Sequence, residues 1–164
     1  MQRRLNTRLL LWIVGALAVF CTSVHFLHAF QVRRHAAILH AQAIRAEEEG
    51  HPEQAATCWN RYLSFAPHDT DALARFGLAL VPAADSPRAR SRVPSVFENV
   101  LDREPARDDI RREAMRLALD LGQLAEASKH LQVLLLSAPE NGTWHGLLGR
   151  CHEADGRLKD AVTA

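Results

Sequence analysis

The chain has 164 residues, 48% of them hydrophobic, with 20 basic against 19 acidic side chains and a formal charge of +1. That balance excludes a dedicated nucleic-acid binder, and the length fits one domain of ordinary size rather than two. The apolar fraction suffices to bury a core, and three scattered cysteines, Cys21, Cys58 and Cys151, make no disulfide framework.

Residues 1–8 are a short basic tail carrying Arg3, Arg4 and Arg8. Residues 9–30 come next, without a single formal charge. As a helix they span about 33 Å against a hydrocarbon core of about 30 Å, which predicts a transmembrane helix in contact with the lipid bilayer. Trp12 at one end, and Arg33, Arg34 and His35 in the juxtamembrane segment 31–35, supply interfacial anchors. Basic side chains number three before the stretch and two after it, and the free amino terminus adds to the first group. The expected topology is a single pass with the N-terminus inside and the remainder outside the cytoplasm. The 18 arginines against 2 lysines point to a GC-rich genome and say little about function. The expected location is a bacterial cytoplasmic (inner) membrane, with the polar remainder on its outer, periplasmic side.

A cleaved secretory signal is the competing reading, because the strictly apolar part, 9–21, has only 13 residues. Leu27 fits poorly at −3 of a cut after Ala29, and Phe20 before Cys21 spoils a lipoprotein-type site. His25 and His28 share a helical face and read as headgroup-region histidines rather than a haem or metal site. A small-xxx-small pairing signature is missing beyond Gly15 and Val19. Neither glycine nor proline falls between Gly15 and Gly50, and Ala36, Ala37, Leu39, Ala43 and Ile44 keep a helical pattern. This predicts one helix running from the apolar stretch into the polar remainder of the chain, with an unstructured joint at 31–35 as the alternative.

Beyond residue 35 the chain is polar and mildly acidic: leaving out Arg3, Arg4, Arg8, Arg33 and Arg34, 15 basic residues stand against 19 acidic, or −4. Here the landmarks repeat. Pro105 and Pro139, Gly122 and Gly156, and Ala127 and Ala161 all lie 34 apart. Gly50, Ala55 and Pro67 have the same mutual spacing as Gly122, Ala127 and Pro139, while Gly77 and Gly149 lie 72 apart, one long unit plus one ordinary unit. The extra length is expected in a long loop at 81–94, where Pro82, Pro87 and Pro94 oppose helix. Within a unit, Leu124, Ala127, Leu131, Leu134 and Leu135 recur at helical steps, and Ala55, Ala56, Trp59, Tyr62, Leu63 and Phe65 repeat the design. Glycines end one helix, small alanines let the pair approach closely, and prolines stop the second helix.

In these features the chain resembles the tetratricopeptide repeat family, whose units are 34-residue helix-turn-helix pairs stacked into a superhelix. The resemblance is carried by Gly50, Ala55, Trp59 and Pro67, then by Ala72, Leu73, Phe76, Gly77, Phe97, Leu101 and Pro105. Gly122, Ala127, Leu131 and Pro139 carry it in a third unit, and Trp144, Leu148, Gly149, Gly156 and Ala161 in a fourth. The second unit departs from the pattern by lacking the turn glycine and by having Val93 where alanine is usual. The expected fold is all-α: the transmembrane helix, then an α-solenoid of about three and a half repeats, with units at 36–69, 70–107, 108–141 and a truncated 142–164. Leu158, Ala161 and Val162 would lack their covering partner at that end, so a longer parent protein is expected.

For chemistry the sequence offers little. It carries no phosphate-cradling loop, nucleophile elbow or zinc-helix motif, and no enzyme activity, cofactor or metal is expected. Cys151, His152 and His145 read as a packed cysteine with surface histidines. Glu47, Glu48 and Glu49 read as a solvated helix end, and Arg111 and Arg112 as exposed charge pairs with Asp108 and Asp109. What the resemblance implies is a concave surface lined by the first helix of each pair. Repeat register puts Arg112, Arg116 and Arg150 there, with Asp109, Asp120 and Glu153 nearby. Arginines suit bidentate capture of carboxylates, so an acidic protein or peptide partner is expected. The asparagine and lysine pattern of the carboxylate-clamp members is absent. The expected role is a membrane-tethered scaffold, with a docking part of a longer enzyme such as a transferase as the alternative.

Overall fold

The computed structural model describes residues 7–84 and 90–154. Within them the chain is helical: α1 (Thr7–Glu48), α2 (Pro52–Leu63), α3 (Thr70–Ala83), α4 (Val93–Arg103), α5 (Asp108–Asp120), α6 (Leu124–Ser137) and α7 (Gly142–Ala154). Each helix packs against the next in the chain. The end of α1 with α2, then α3 with α4, then α5 with α6, form successive pairs, and α7 starts a fourth. The landmarks Gly156 and Ala161, and the second helix expected after α7, lie outside the described residues.

The turn glycines act as their spacing requires. Gly50 and Gly122 have φ of 72° and 70°, a left-handed conformation that a side chain strains. Around each one the same bonds close the preceding helix. The His51 N–H reaches the Ala46 carbonyl at 2.8 Å and the Gly50 N–H reaches Glu47 at 3.1 Å; Gln123 reaches Ala118 at 2.8 Å and Gly122 reaches Leu119 at 3.0 Å. Helix α3 starts differently, with the Asp69 carboxylate accepting from the Ala72 N–H at 2.9 Å.

One side chain per pair forms the centre of each core. Trp59, Phe97 and Leu131 are each fully buried, and each follows by four residues a buried small or branched partner, Ala55, Val93 or Ala127. Val93 thus fills the place of the usual alanine, at the start of α4. Close approach reaches its limit at Gly77, in the middle of α3, where a Cβ would stand 2.7 Å from Cε1 of Phe97. The expected long loop at 81–94 is shortened from both sides. Pro82 lies in the last turn of α3, and Pro94 in the first turn of α4, where a missing N–H costs nothing.

Helix α1 runs unbroken across residues 31–35, as the lack of glycine and proline predicts. The expected transmembrane helix is overturned. Among the described residues, no helix is long and apolar enough to cross a membrane. Although α1 is long, its strictly apolar run of 13 residues at 9–21 covers only about 20 Å. Thr22, Ser23, His25 and His28 make up much of the rest of the uncharged stretch. The transmembrane part of the expected fold class and the single-pass inner-membrane location with the N-terminus inside are therefore withdrawn.

The crowding at Gly77 sets an expectation for stability. Gly77→Ala drives a methyl into the Phe97 ring and is expected to cost about 1–3 kcal/mol. Gly122→Ala, with open space around its Cβ, is expected to cost only about 1–2 kcal/mol, through the backbone strain it introduces. Urea unfolding followed by circular dichroism checks this; equal midpoints for Gly77→Ala and wild type would show that Phe97 yields freely.

Candidate functional site

The first helices of successive pairs, α1, α3, α5 and α7, carry the positions that the repeat register assigns to the concave side. Two clefts share Leu78 of α3, the larger reaching across α1, the following turn and the start of α2, the smaller reaching α5. The larger, of about 660 Å³, has Glu47 and Arg75 on one wall and Ala55, Leu78, Ala79 and Pro82 as its apolar lining. The smaller, of about 310 Å³, is lined by Asp109, Arg112, Glu113 and Arg116 of α5 with Leu78 and Ile110.

The polar wall of the larger cleft is a network. Glu47 Oε1 accepts from the indole Nε1 of Trp59 at 2.7 Å, and Glu47 Oε2 accepts from Arg75 at 2.7 Å. The Arg75 guanidinium also lies over the Trp59 ring, 5.8 Å from its centroid. Glu47 is therefore not a solvated helix end but the acceptor that satisfies a buried tryptophan. On the other side of Trp59, His40 meets it edge-on at 5.1 Å, and Tyr62 lies 5.8 Å from it. The Tyr62 hydroxyl donates to Asp69 at 2.7 Å, and this bond, with burial, raises the phenol's pKa. Burial alone would lift the Asp69 carboxyl, but hydrogen bonds from the Ala72 N–H and Tyr62 outweigh it and leave the carboxyl below its usual range.

The expected pairing of Arg111 and Arg112 with Asp108 and Asp109 is not the one formed. Arg107 takes Asp109 at 3.0 Å and also Asp71 at 2.7 Å and Glu104 at 3.4 Å, so its proton is held more tightly than usual and the Asp109 carboxyl is held below its ordinary range. Arg111 donates to the Pro105 carbonyl, and Arg112 uses only its Nε, toward the Asp108 carbonyl at 3.1 Å. Among the described residues the terminal nitrogens of Arg112 have no protein acceptor. Arg116 pairs with Glu113 at 2.6 Å on an exposed surface, a contact of small worth. Arg112 and Arg116 thus share the smaller cleft with Asp109. Arg150 is exposed on α7 and lines neither cleft.

Cys151 is buried, and burial raises its thiol pKa, which suits packing rather than nucleophilic or thiolate-ligand chemistry. His152 is buried beside it rather than on the surface. His130 of α6 is also buried, with Nε2 at 3.2 Å from Glu98 Oε1 of α4. Burial lowers its pKa, Arg111 and Lys129 act in the same direction, and Glu98 and Glu126 act against it.

Comparison with known proteins bears on the fold. Residues 95–151 match the family model described as Tetratricopeptide repeat. No curated protein matches the chain by sequence. Among solved structures, MamA 41-end from Desulfovibrio magneticus RS-1 superposes with a TM-score of 0.65 at 22% identity, covering 79% of this chain and 71% of that one. A tetratricopeptide repeat protein from Parabacteroides merdae ATCC 43184 gives 0.65 at 14% identity, covering 78% of this chain and 50% of that one. The first tetratricopeptide repeat domain of Spaghetti (RPAP3), bound to HSP90 peptide SRMEEVD, gives 0.57 at 15% identity over 75% of this chain and 97% of that one. The family match and these superpositions support the tetratricopeptide resemblance, and the identities establish fold alone.

Two predictions arise from these groups. Glu47→Ala leaves the Trp59 indole N–H without its acceptor and is expected to cost about 1–3 kcal/mol, whereas Glu47→Gln keeps a carbonyl oxygen and loses less; denaturant midpoints of the two variants test the order. For His130 the folded pKa lies below the unfolded one, so in acid the unfolded chain binds more protons. Its contribution is complete above the unfolded value near 6.5 and is lost as pH falls through the folded value. The thermal midpoint of wild type is expected to fall faster below pH 6.5 than that of His130→Gln; parallel pH profiles would refute this.

Proposed function

We propose that this chain is a non-catalytic scaffold that captures a peptide segment of a partner protein in the concave groove, and that the segment carries carboxylates. The observation that carries the reading is the contrast between the two clefts. In the larger, Arg75 is committed to Glu47 and Trp59, which leaves a neutralised wall around Leu78, Ala79 and Pro82, suited to apolar side chains. In the smaller, Arg112 presents terminal nitrogens, and Arg116 is held only by an exposed pair that a ligand carboxylate can exchange with. Arg150, farther along on α7, extends the same charge toward the end of the groove. The Spaghetti (RPAP3) domain of similar fold is bound to a peptide, SRMEEVD, that is itself acidic. This lends support to the class of ligand and not to the particular sequence.

The test is fluorescence anisotropy with a short Asp/Glu-rich peptide and its Asn/Gln counterpart. Binding of the acidic peptide is expected to weaken roughly tenfold for each charge-assisted pair lost in Arg112→Ala and Arg116→Ala, with a smaller effect for Arg150→Ala. Equal affinity for both peptides, or no change in the triple variant, would remove the arginines from the groove's function.

A further inference from the structure

Arg75 of α3 lies between the Trp59 ring and the open space of the larger cleft. The ring stands 5.8 Å from its guanidinium, and Glu47 accepts from its Nη1 at 2.7 Å. The Arg75 side chain is still 49% exposed, and it lines the cleft together with Leu78, Ala79 and Pro82. A guanidinium is planar, so the surface that Trp59 does not take is available to a second ring. Its charge is already matched by Glu47, and Arg107, also on the wall of this cleft, is held by Asp71, Glu104 and Asp109. A carboxylate entering here meets two arginines that are already paired, whereas a ring meets a flat surface beside an apolar floor. Room suffices, since a cavity of about 150 Å³ encloses a benzene and this cleft has about 660 Å³.

We infer that the larger cleft takes an aromatic side chain of the partner peptide, stacked on the guanidinium of Arg75 against Leu78, about three positions along the peptide from the carboxylate that the smaller cleft receives. The inference rests on the carboxylate reading above and adds to it the residue that selects the ligand. Leu78 belongs to both clefts and is 40% exposed, so a peptide crossing it reaches both. The larger cleft lies on the α1 side of α3 and the smaller on the α5 side. Packed helix axes stand about 8–10 Å apart and an extended peptide rises about 3.3 Å per residue, which gives the spacing. The order of the two groups follows from charge. Asp109, Arg112, Glu113 and Arg116 rim the smaller cleft, where a carboxylate gains the terminal nitrogens of Arg112 and a ring gains little. Arg75 is thus a specificity-determining surface held in place by Glu47, and not an anion receptor.

The test uses the full chain and the labelled peptide Glu-Ser-Ser-Phe-Ser-Ser-Glu, which sets a glutamate three positions from the ring on either side, with affinity read by fluorescence anisotropy. Replacing its Phe by Ala is expected to weaken binding roughly tenfold. Cyclohexylalanine in that place, as apolar but without π electrons, is expected to weaken it roughly threefold. Arg75→Met, which leaves Glu47 on the Trp59 indole, is expected to remove the second difference. An independent readout is the wild-type chain itself, where the Leu78 methyl resonances are expected to move upfield with the Phe peptide and not with the cyclohexylalanine one. Equal affinity for the Phe and Ala peptides overturns the aromatic site and leaves the carboxylate reading standing. Equal affinity for Phe and cyclohexylalanine, or unmoved Leu78 methyls, overturns the stacking on Arg75. If the Gln counterpart binds as well as the glutamate peptide while the preference for Phe persists, the carboxylate reading and the spacing fall, and the ring's place in the larger cleft stands.

Discussion

Everything in this array depends on how closely two helices of a pair approach. The distance is set where Trp59, Phe97 and Leu131 enter the space beside a residue small enough to admit them, at Ala55, Val93 and Ala127. A solenoid has no single central core, so each pair must bury its own apolar face and pass the next face on to its neighbour. The three clusters around these side chains are local, sharing boundaries along α3 and α5, which is how a repeat of marginal size gains stability from its neighbours. Gly77 shows the tightest case: a mid-helix glycine is normally unfavourable by about 1 kcal/mol, and here it is what admits the Phe97 ring.

The same geometry explains why the first pair ends the stack on its outer side. On α5, Ile110, Ala114 and Leu117 are buried, in the core that α4 shares, with Leu121 half-buried behind them. Seventy-two residues earlier, the equivalent positions are Ile38, Gln42 and Arg45 on α1 and Glu49 just after it, and all are exposed. One apolar position and three polar ones make a face that water covers well, the character expected of a terminal repeat.

Much of this was legible in the sequence because it follows from local rules. The 34-residue period, the left-handed glycines at Gly50 and Gly122 and the buried stripe of α6 each depend on neighbours within a few residues. The polar network was not legible, because its partners are distant: Glu47 meets Trp59 twelve residues on and Arg75 twenty-eight residues on, while Arg107 reaches back thirty-six residues to Asp71. Adjacent charges suggested pairs of Arg111 and Arg112 with their aspartates, and proximity in sequence was the wrong guide. Counting formal charges also misread residues 9–30, since hydroxyls and imidazoles interrupt an apolar run as surely as charges shorten it. In the candidate site, register placed Arg112 and Arg116 on α5, but the apolar cleft beside them needs α1, α2 and α3 together and has no signature along the chain.

Helix α1 joins these parts mechanically. It is one rigid element of 42 residues, and its last turns carry Glu47, whose two oxygens hold Trp59 and Arg75. Ala43 and Ala46 are buried against α2 in the same cluster as Trp59. Glu47 and Arg75 also line the larger cleft, so the pair of bonds that satisfies the buried indole also leaves that wall of the groove without an unpaired charge.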